Sequence, residues 1–227
     1  MDGVLNLDKP ARLSSAAAVD RVKRFLPPKT KVGHAGTLDP FATGVLLILI
    51  GKATKLSESL MNQPKRYEAT VKLGATTETD DPESPERPFQ NAAEPKREAI
   101  EQSLRAMVGT IMQRPPAYSA MKIDGRRAYD LARKGRPVEL AARPVRIDAI
   151  EIIRWEWPFL LLSIDCGRGT YIRSVARDLG EQLKTGGYLT QLRRTKVGRF
   201  TAETAASLES LAGQSVEQVL FPLAGLI

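Results

Sequence analysis

Gly33-His34-Ala35-Gly36-Thr37-Leu38-Asp39-Pro40-Phe41-Ala42-Thr43-Gly44 is the stretch around which the chain is organised, and it carries three glycines and the only histidine. It is too rich in glycine for a helix and too polar for a core strand, which makes it a loop. Pro40 bars the residue before it from the helical region, so Asp39 is held in an extended or turn conformation. Asp and Gly are ordinary turn residues, and taken alone Asp39 reads as one. A carboxylate pinned on a stiff loop is also how a catalytic group would be presented. The loop runs into the apolar residues 45–50, a buried strand or a buried helix that periodicity does not separate.

Upstream, Val4, Leu5, Asn6 and Leu7 alternate like a short strand that Asp8-Lys9-Pro10 ends. Ser14 and Ser15 are both candidate N-caps for a helix with Val19, Val22 and Leu26 on one face, stopped by Pro27-Pro28. Downstream, Gly51-Lys52-Ala53-Thr54 lacks the earlier glycine of a phosphate-binding loop, which excludes that motif. In residues 68–73, Ala69, Val71 and Leu73 alternate with Thr70 and Lys72, as in a half-buried strand. Residues 76–88 are acidic, proline-rich and almost free of apolar side chains, so they predict an exposed loop. Ile100, Leu104, Met107 and Val108 mark an amphipathic helix ending at Gly109. Residues 145–153 and 159–165 read as two strands, and residues 171–184 as a helix burying Ile172, Val175, Ala176, Leu179 and Leu183. Gly167-Arg168-Gly169 before that helix lacks the third glycine of a dinucleotide fingerprint, with Arg173 in its place. A last strand runs through Phe200, with small helices near 206–211 and 216–220.

The 227 residues suffice for one large domain or two small ones. A formal net charge of +8 and a sequence pI near 9.7 point to a polyanionic partner. The excess is concentrated in residues 114–146, where nine basic residues meet three acidic ones and Tyr118 and Tyr129 are interleaved. Cations beside aromatic rings suit phosphate contacts and base stacking, so this segment predicts an RNA-binding insertion. One cysteine, Cys166, excludes an internal disulfide and any multi-cysteine zinc site, and with a single histidine it argues against a His/Cys metal centre. Cys166 has no identifiable base and reads as a small buried side chain. The N-terminus shows no secretory signal, and residues 45–50 are too few to cross a bilayer, so the expectation is a cytoplasmic protein.

The chemistry that remains is narrow. No Ser/His/Asp set is defensible. One conformationally fixed carboxylate, scattered Arg and Tyr residues and a basic surface are left. An ionised carboxylate can act as a covalent nucleophile, and a nearby arginine keeps it charged at neutral pH.

Six ordered segments, the opening one included, carry a family resemblance. Gly3-Val4-Leu5-Asn6-Leu7-Asp8-Lys9-Pro10 opens the match, and residues 31–46 resemble the catalytic motif of the bacterial TruB-type tRNA pseudouridine-55 synthases almost letter for letter. Lys65-Arg66-Tyr67, Pro115-Pro116-Ala117-Tyr118-Ser119-Ala120-Met121-Lys122, Gly169-Thr170-Tyr171-Ile172-Arg173 and Leu192-Arg193-Arg194 follow in the same order.

The resemblance implies an α+β pseudouridine synthase fold, with a central mixed, largely antiparallel sheet flanked by helices and an inserted basic RNA-clasping loop. It implies an isomerase that converts uridine 55 in the tRNA T-loop to pseudouridine on a flipped base, without cofactor or metal. Asp39 falls on the nucleophile, with attack on base or sugar left open. Arg173 falls on the position that pairs with that carboxylate. Tyr67 matches the ring that packs on the target base and is a candidate for helping to remove the C5 proton. His34, Tyr171 and Leu192 match positions that hold the flipped nucleotide or take its place in the loop. Lys9 and Lys122, in matching segments, are further substrate-binding candidates. The expected partner is the tRNA T-arm stem-loop, bound by a monomer.

Two departures accompany the match. The family's usual C-terminal RNA-binding domain is expected to be absent, leaving residues 1–227 as a single catalytic domain with the insertion at about 114–146. Arg12 and Ala16 stand where the family usually has glycine and histidine. The alternative is a catalytically silent RNA-binding or tRNA-folding protein, and the intact set of Asp39, Tyr67 and Arg173 stands against it.

Overall fold

The apolar run at 45–50 is strand, not helix. The computed structural model describes residues 1–119, 122–123, 126–127, 140–213 and 215–224. Its strands are β1 (Gly3–Lys9), β2 (Val32–Ala35), β3 (Thr43–Ile50), β4 (Lys65–Leu73), β5 (Ala75–Thr76), β6 (Arg87–Pro88), β7 (Gly109–Gln113), β8 (Lys122–Ile123), β9 (Arg126–Arg127), β10 (Arg143–Glu156), β11 (Phe159–Cys166), β12 (Gly187–Val197), β13 (Phe200–Thr201) and β14 (Leu220–Phe221). The helices are α1 (Ser15–Lys23), α2 (Ser57–Met61), α3 (Arg97–Ala106), α4 (Ile172–Gln182) and α5 (Ser210–Gly213), with 3-10 turns at Gly51–Leu56, Ala202–Thr204 and Val216–Val219. The chain divides into two compact units, Met1–Glu68 with Leu192–Ile227, and Ala69–Gln191.

In the first unit the strand order is β14-β1-β3-β12-β4, with β2 also pairing β3. β3 is antiparallel to β1 and parallel to β12, so the sheet is mixed. Strand β3 is buried from Gly44 to Ile50, which explains the unbroken apolar sequence: neither face of that stretch meets water. Val45, Leu47 and Leu49 pack with Val4, Ala35, Ala53, Leu60, Val197 and Phe200, while Leu46, Ile48 and Ile50 are buried on the other face. The His34 segment, expected as loop, is partly strand: Val32–Ala35 pairs β3 with His34 opposite Ile48. In this antiparallel edge it is only half-buried, which tolerates its polarity. Ser14, not Ser15, caps α1 by accepting the Ala17 N–H at 3.1 Å. Val19 and Val22 are buried as expected, and the helix ends at Lys23, before Pro27. Arg12 has φ +62, a left-handed conformation that glycine adopts more readily than arginine.

In the second unit the order is β12-β4-β11-β10-β7, and β10 and β11 form an antiparallel hairpin. The alternation expected at 68–73 begins earlier, with Lys65 and Tyr67 also buried. Helix α3 buries Ile100 and Leu104, followed by Met107, whereas Val108 is 42% exposed because the helix has already ended. Helix α4 buries Ile172, Val175, Ala176 and Leu179 as expected, with Leu183 just past its end half-buried. It also buries Arg173, which apolar periodicity could not foresee. The segment read as an exposed acidic loop is not wholly exposed: Thr77, Thr79 and Asp81 are buried. The buried Arg173 guanidinium on α4 meets two of them, the Thr79 carbonyl and the Asp81 carboxylate. Cys166 is buried, as expected. Of the basic segment at 114–146, residues 120–121, 124–125 and 128–139 lie outside the described residues. Among the described residues no helix is long and apolar enough to cross a membrane.

Gly180 lies inside α4, where alanine would ordinarily be favoured by about 1 kcal/mol. A Cβ there would overlap the main chain of Gly186 and Gly187, which turn back against the helix. Gly180→Ala is expected to destabilise the protein by about 1–3 kcal/mol despite its helix propensity, as overpacking does. Urea unfolding checks this: a midpoint equal to or above wild type contradicts it.

Candidate active site

In the first unit, Asp39 lies on the connection between β2 and β3 and is half-buried. Its carbonyl accepts the Ala42 N–H at 3.2 Å, closing Asp39-Pro40-Phe41-Ala42 into a tight bend with proline second. Asp39 is thus a turn residue, and its main chain is also held from both sides. The Gly36 and Thr37 carbonyls accept from the Arg194 guanidinium at 3.2 and 3.4 Å. The Leu38 carbonyl accepts the Ser15 hydroxyl at 2.9 Å, and the Leu38 N–H donates back to the same oxygen at 2.8 Å. The Pro40 carbonyl accepts from the Lys9 ammonium at 3.3 Å. All five consecutive carbonyls from Gly36 to Pro40 are therefore engaged.

The side chains that do this are themselves buried. Arg194 is 1% exposed, and its Nε also donates to the Val45 carbonyl at 2.7 Å. It stands opposite Gly44 in the parallel β12–β3 pairing. Gly44 has φ +100, and a Cβ there would overlap the Arg194 main chain, so this close approach demands glycine. Lys9 is fully buried and also donates to the Pro10 and Leu13 carbonyls at 2.8 and 2.7 Å. Next to it, Asp8 takes two hydrogen bonds from Arg193, at 2.8 and 3.1 Å.

His34 is half-buried in β2, and its Nδ1 meets no hydrogen-bond partner among the described residues. Burial first, and the Arg194 charge second, hold the imidazole below its ordinary value. Tyr67 on β4 and Leu192 on β12 are both buried.

In the second unit, Arg173 is 4% exposed. One terminal nitrogen donates to the Thr79 carbonyl at 3.1 Å and the Asp81 carboxylate at 3.2 Å, and the other to the Tyr118 carbonyl at 2.9 Å. Asp81 in turn accepts the Thr79 hydroxyl at 2.5 Å and the Glu83 N–H at 2.9 Å. One turn along α4, Arg177 donates to Asp80 at 3.2 Å, to Asp178 and to the Arg114 carbonyl. Burial pushes the Asp80 carboxyl up to about 6, against the pull of Arg177 and Arg173. Tyr171, just before α4, is fixed through its backbone: its N–H donates to the Gln113 side chain at 2.8 Å, and its carbonyl accepts from that amide at 3.1 Å. The Arg143 guanidinium lies over its ring, 5.3 Å from the centroid. Lys122 lies in the two-residue strand β8, paired with β9. Among the described residues, no group of three or more His, Cys, Asp or Glu side chains is placed to hold a metal ion.

Sequence reasoning gave no role to Ser15 on the loop, to Arg194, to Gln113 or to Asp81. Adjacent serines before a helix read as caps, and Asp81 lay in an acidic stretch that read as solvated. The usable signal was indirect: arginines on the inward face of α4 require buried acceptors.

Comparison with known proteins adds three kinds of match. Residues 23–172 match the family described as TruB family pseudouridylate synthase (N terminal domain), and residues 173–223 match the tRNA pseudouridylate synthase B C-terminal domain. The chain is 45% identical to tRNA pseudouridine synthase B of Aromatoleum aromaticum, over all of this chain and 74% of that protein. It is also 45% identical to the protein of that name from Phocaeicola vulgatus, over 96% of each, and 48% identical to that from Mycobacterium bovis, over 92% of this chain and 72% of the other. Among solved structures, the crystal structure of a Cbf5-Nop10-Gar1 complex is similar, with a TM-score of 0.70 and 30% identity over 91% of this chain. The chain spans about half, 52%, of that one.

The single histidine makes one titration assignment-free. Its folded value lies below 6.5, so the stability from this shift is fully present above pH 6.5 and is lost as pH falls through the folded value. Proton NMR of the imidazole is expected to give a midpoint below 6.5, and one at or above 6.5 contradicts the burial and the Arg194 charge as its causes.

Proposed function

The chain belongs to the TruB family of pseudouridylate synthases, and on that premise we propose that it isomerises uridine 55 in the T-loop of tRNA to pseudouridine. The observation that carries this is the carboxylate of Asp39 on a loop whose flanking carbonyls are each engaged. The reaction needs a nucleophile held still more than it needs external chemistry. The N1–C1′ bond breaks, the base turns, and a C5–C1′ bond forms. The C5 hydrogen leaves as a proton and N1 takes one up, so no net oxidation or reduction occurs.

Asp39 supplies the nucleophile. Tyr67 packs on the base and helps to remove the C5 proton. Arg173 is the cation assigned to the reaction, and His34, Tyr171 and Leu192 hold the extruded nucleotide or fill its place. Lys122 binds substrate, and Lys9 serves it through the loop that it anchors. The base leaves its stack at a cost of about a few kcal/mol, offset by phosphate and stacking contacts. The net charge of +8 supports a polyanionic partner, which we assign as the T-arm of tRNA. We assign residues 1–227 to one catalytic domain, with 114–146 as the RNA-clasping insertion, acting as a cytoplasmic monomer without cofactor or metal.

Tritium release from tRNA carrying 5-tritiated uridine tests the assignment. Wild type is expected to release tritium and Asp39→Asn to release none. Equal release from both would remove Asp39 as nucleophile, and no release from wild type would favour a silent RNA binder. For Arg173→Lys, turnover is expected to fall about 10²-fold with tRNA affinity nearly kept, because lysine lacks the planar fork that a guanidinium offers to a carboxylate. Normal turnover with lost affinity in a filter-binding assay would overturn the catalytic role.

A further inference from the structure

We infer that Ser15 is a positioning residue for Asp39, fixing the peptide plane that enters the nucleophile; this rests on the proposed uridine isomerisation for its catalytic consequence. A single hydroxyl bonds both polar groups of Leu38, donating to the carbonyl at 2.9 Å and accepting the N–H at 2.8 Å. Both residues are buried, Ser15 at 2% exposure and Leu38 at 3%. The ladder between β2 and β3 ends at Ala35, and Leu38 lies beyond it with both main-chain groups served by Ser15. Buried peptide groups without partners are costly, so the hydroxyl takes the place of a missing strand.

The carbonyl that Ser15 holds belongs to the peptide between Leu38 and Asp39. On the far side, the Pro40 ring restricts the Asp39 main chain, and Lys9 holds the Pro40 carbonyl. The two sides together set the direction in which the Asp39 Cα–Cβ bond leaves the chain. Ser15 can do this because Ser14 has already taken the helix cap, so the second serine is not needed there. The two adjacent serines therefore have separable duties: Ser14 for the stability of α1, Ser15 for the posture of the loop.

The experiment compares Ser15→Ala, Ser15→Cys and Ser14→Ala with wild type. It reads the single-turnover rate of pseudouridine formation in tRNA, tRNA affinity, thermal midpoint and amide exchange at Leu38. Ser15→Ala is expected to slow the single-turnover step about 10²-fold, as a misplacement of about 1 Å does, with tRNA affinity within about twofold. Ser15→Cys keeps the side chain's shape but offers a weak donor, so it is expected to slow the step without opening a cavity, which keeps the test valid if the alanine variant unfolds. Ser14→Ala is expected to lower the thermal midpoint and leave the rate within about twofold, since cap loss acts on helix stability. Leu38 amide exchange is expected to accelerate in both Ser15 variants and not in Ser14→Ala.

Unchanged Leu38 exchange in a folded Ser15 variant overturns the clamp. Accelerated exchange with a rate close to that of an active wild type overturns the positioning role, and so does an equal rate loss in Ser14→Ala. An inactive wild type would instead overturn the uridine chemistry and with it the catalytic consequence, while Leu38 exchange would still decide the clamp.

Discussion

An arginine with 1% of its surface exposed, Arg194, lies under the loop that carries Asp39, and much of the first unit's local geometry follows from keeping its guanidinium hydrogen-bonded. A charge taken out of water costs several kcal/mol unless polar groups replace its hydration. For Arg194 these are the carbonyls of Val45, Gly36 and Thr37, two of them in the loop itself. Its register opposite Gly44 brings two main chains so close that only glycine fits. The same charge contributes to keeping His34 neutral. One buried cation thus links strand pairing, a glycine requirement, the course of a loop and the protonation of the only imidazole.

The second unit applies the same physics with carboxylates added. Arg173 and Arg177, four apart on α4, face an acidic segment that supplies Asp81 and Asp80 to them in turn. Removing one member of the buried Arg173–Asp81 pair strands the other, at about 3–5 kcal/mol. The two carboxylates are not alike. Asp81 is further satisfied by the Thr79 hydroxyl and the Glu83 amide, whereas burial pushes the Asp80 carboxyl up to about 6. Gln113 treats Tyr171 as Ser15 treats Leu38, with one side chain satisfying both backbone groups of a residue next to, or at, an assigned position.

The apolar skeleton was legible in the amino-acid order because burial has a period. Ala69, Val71 and Leu73 declared a strand, and Ile172, Val175 and Leu179 a helix. The position of Asp39 was also legible, since proline leaves its mark on the residue before it. What could not be read was polar burial. Ser15, Gln113 and Asp81 are of types that normally face water, and nothing local marks the rare ones that turn inward. Their partners are 23, 58 and 92 positions away, so the pairing exists only once the chain has folded. Residues 45–50 were ambiguous for a different reason: a strand buried on both faces loses the alternation that would identify it.

The loop around Asp39 is gripped by its carbonyl oxygens, which every amino acid has. Thr37 is exposed, and the group that Arg194 holds there is main chain, so this hydrogen bond does not depend on which side chain stands at position 37. The anchors have no such freedom, because Ser15 and Arg194 act through atoms that few other residues own. The loop's course is thereby set from distant points of the chain. Exchanging the loop's outward side chains is a route to retuning what it meets, while Asp39 keeps its place.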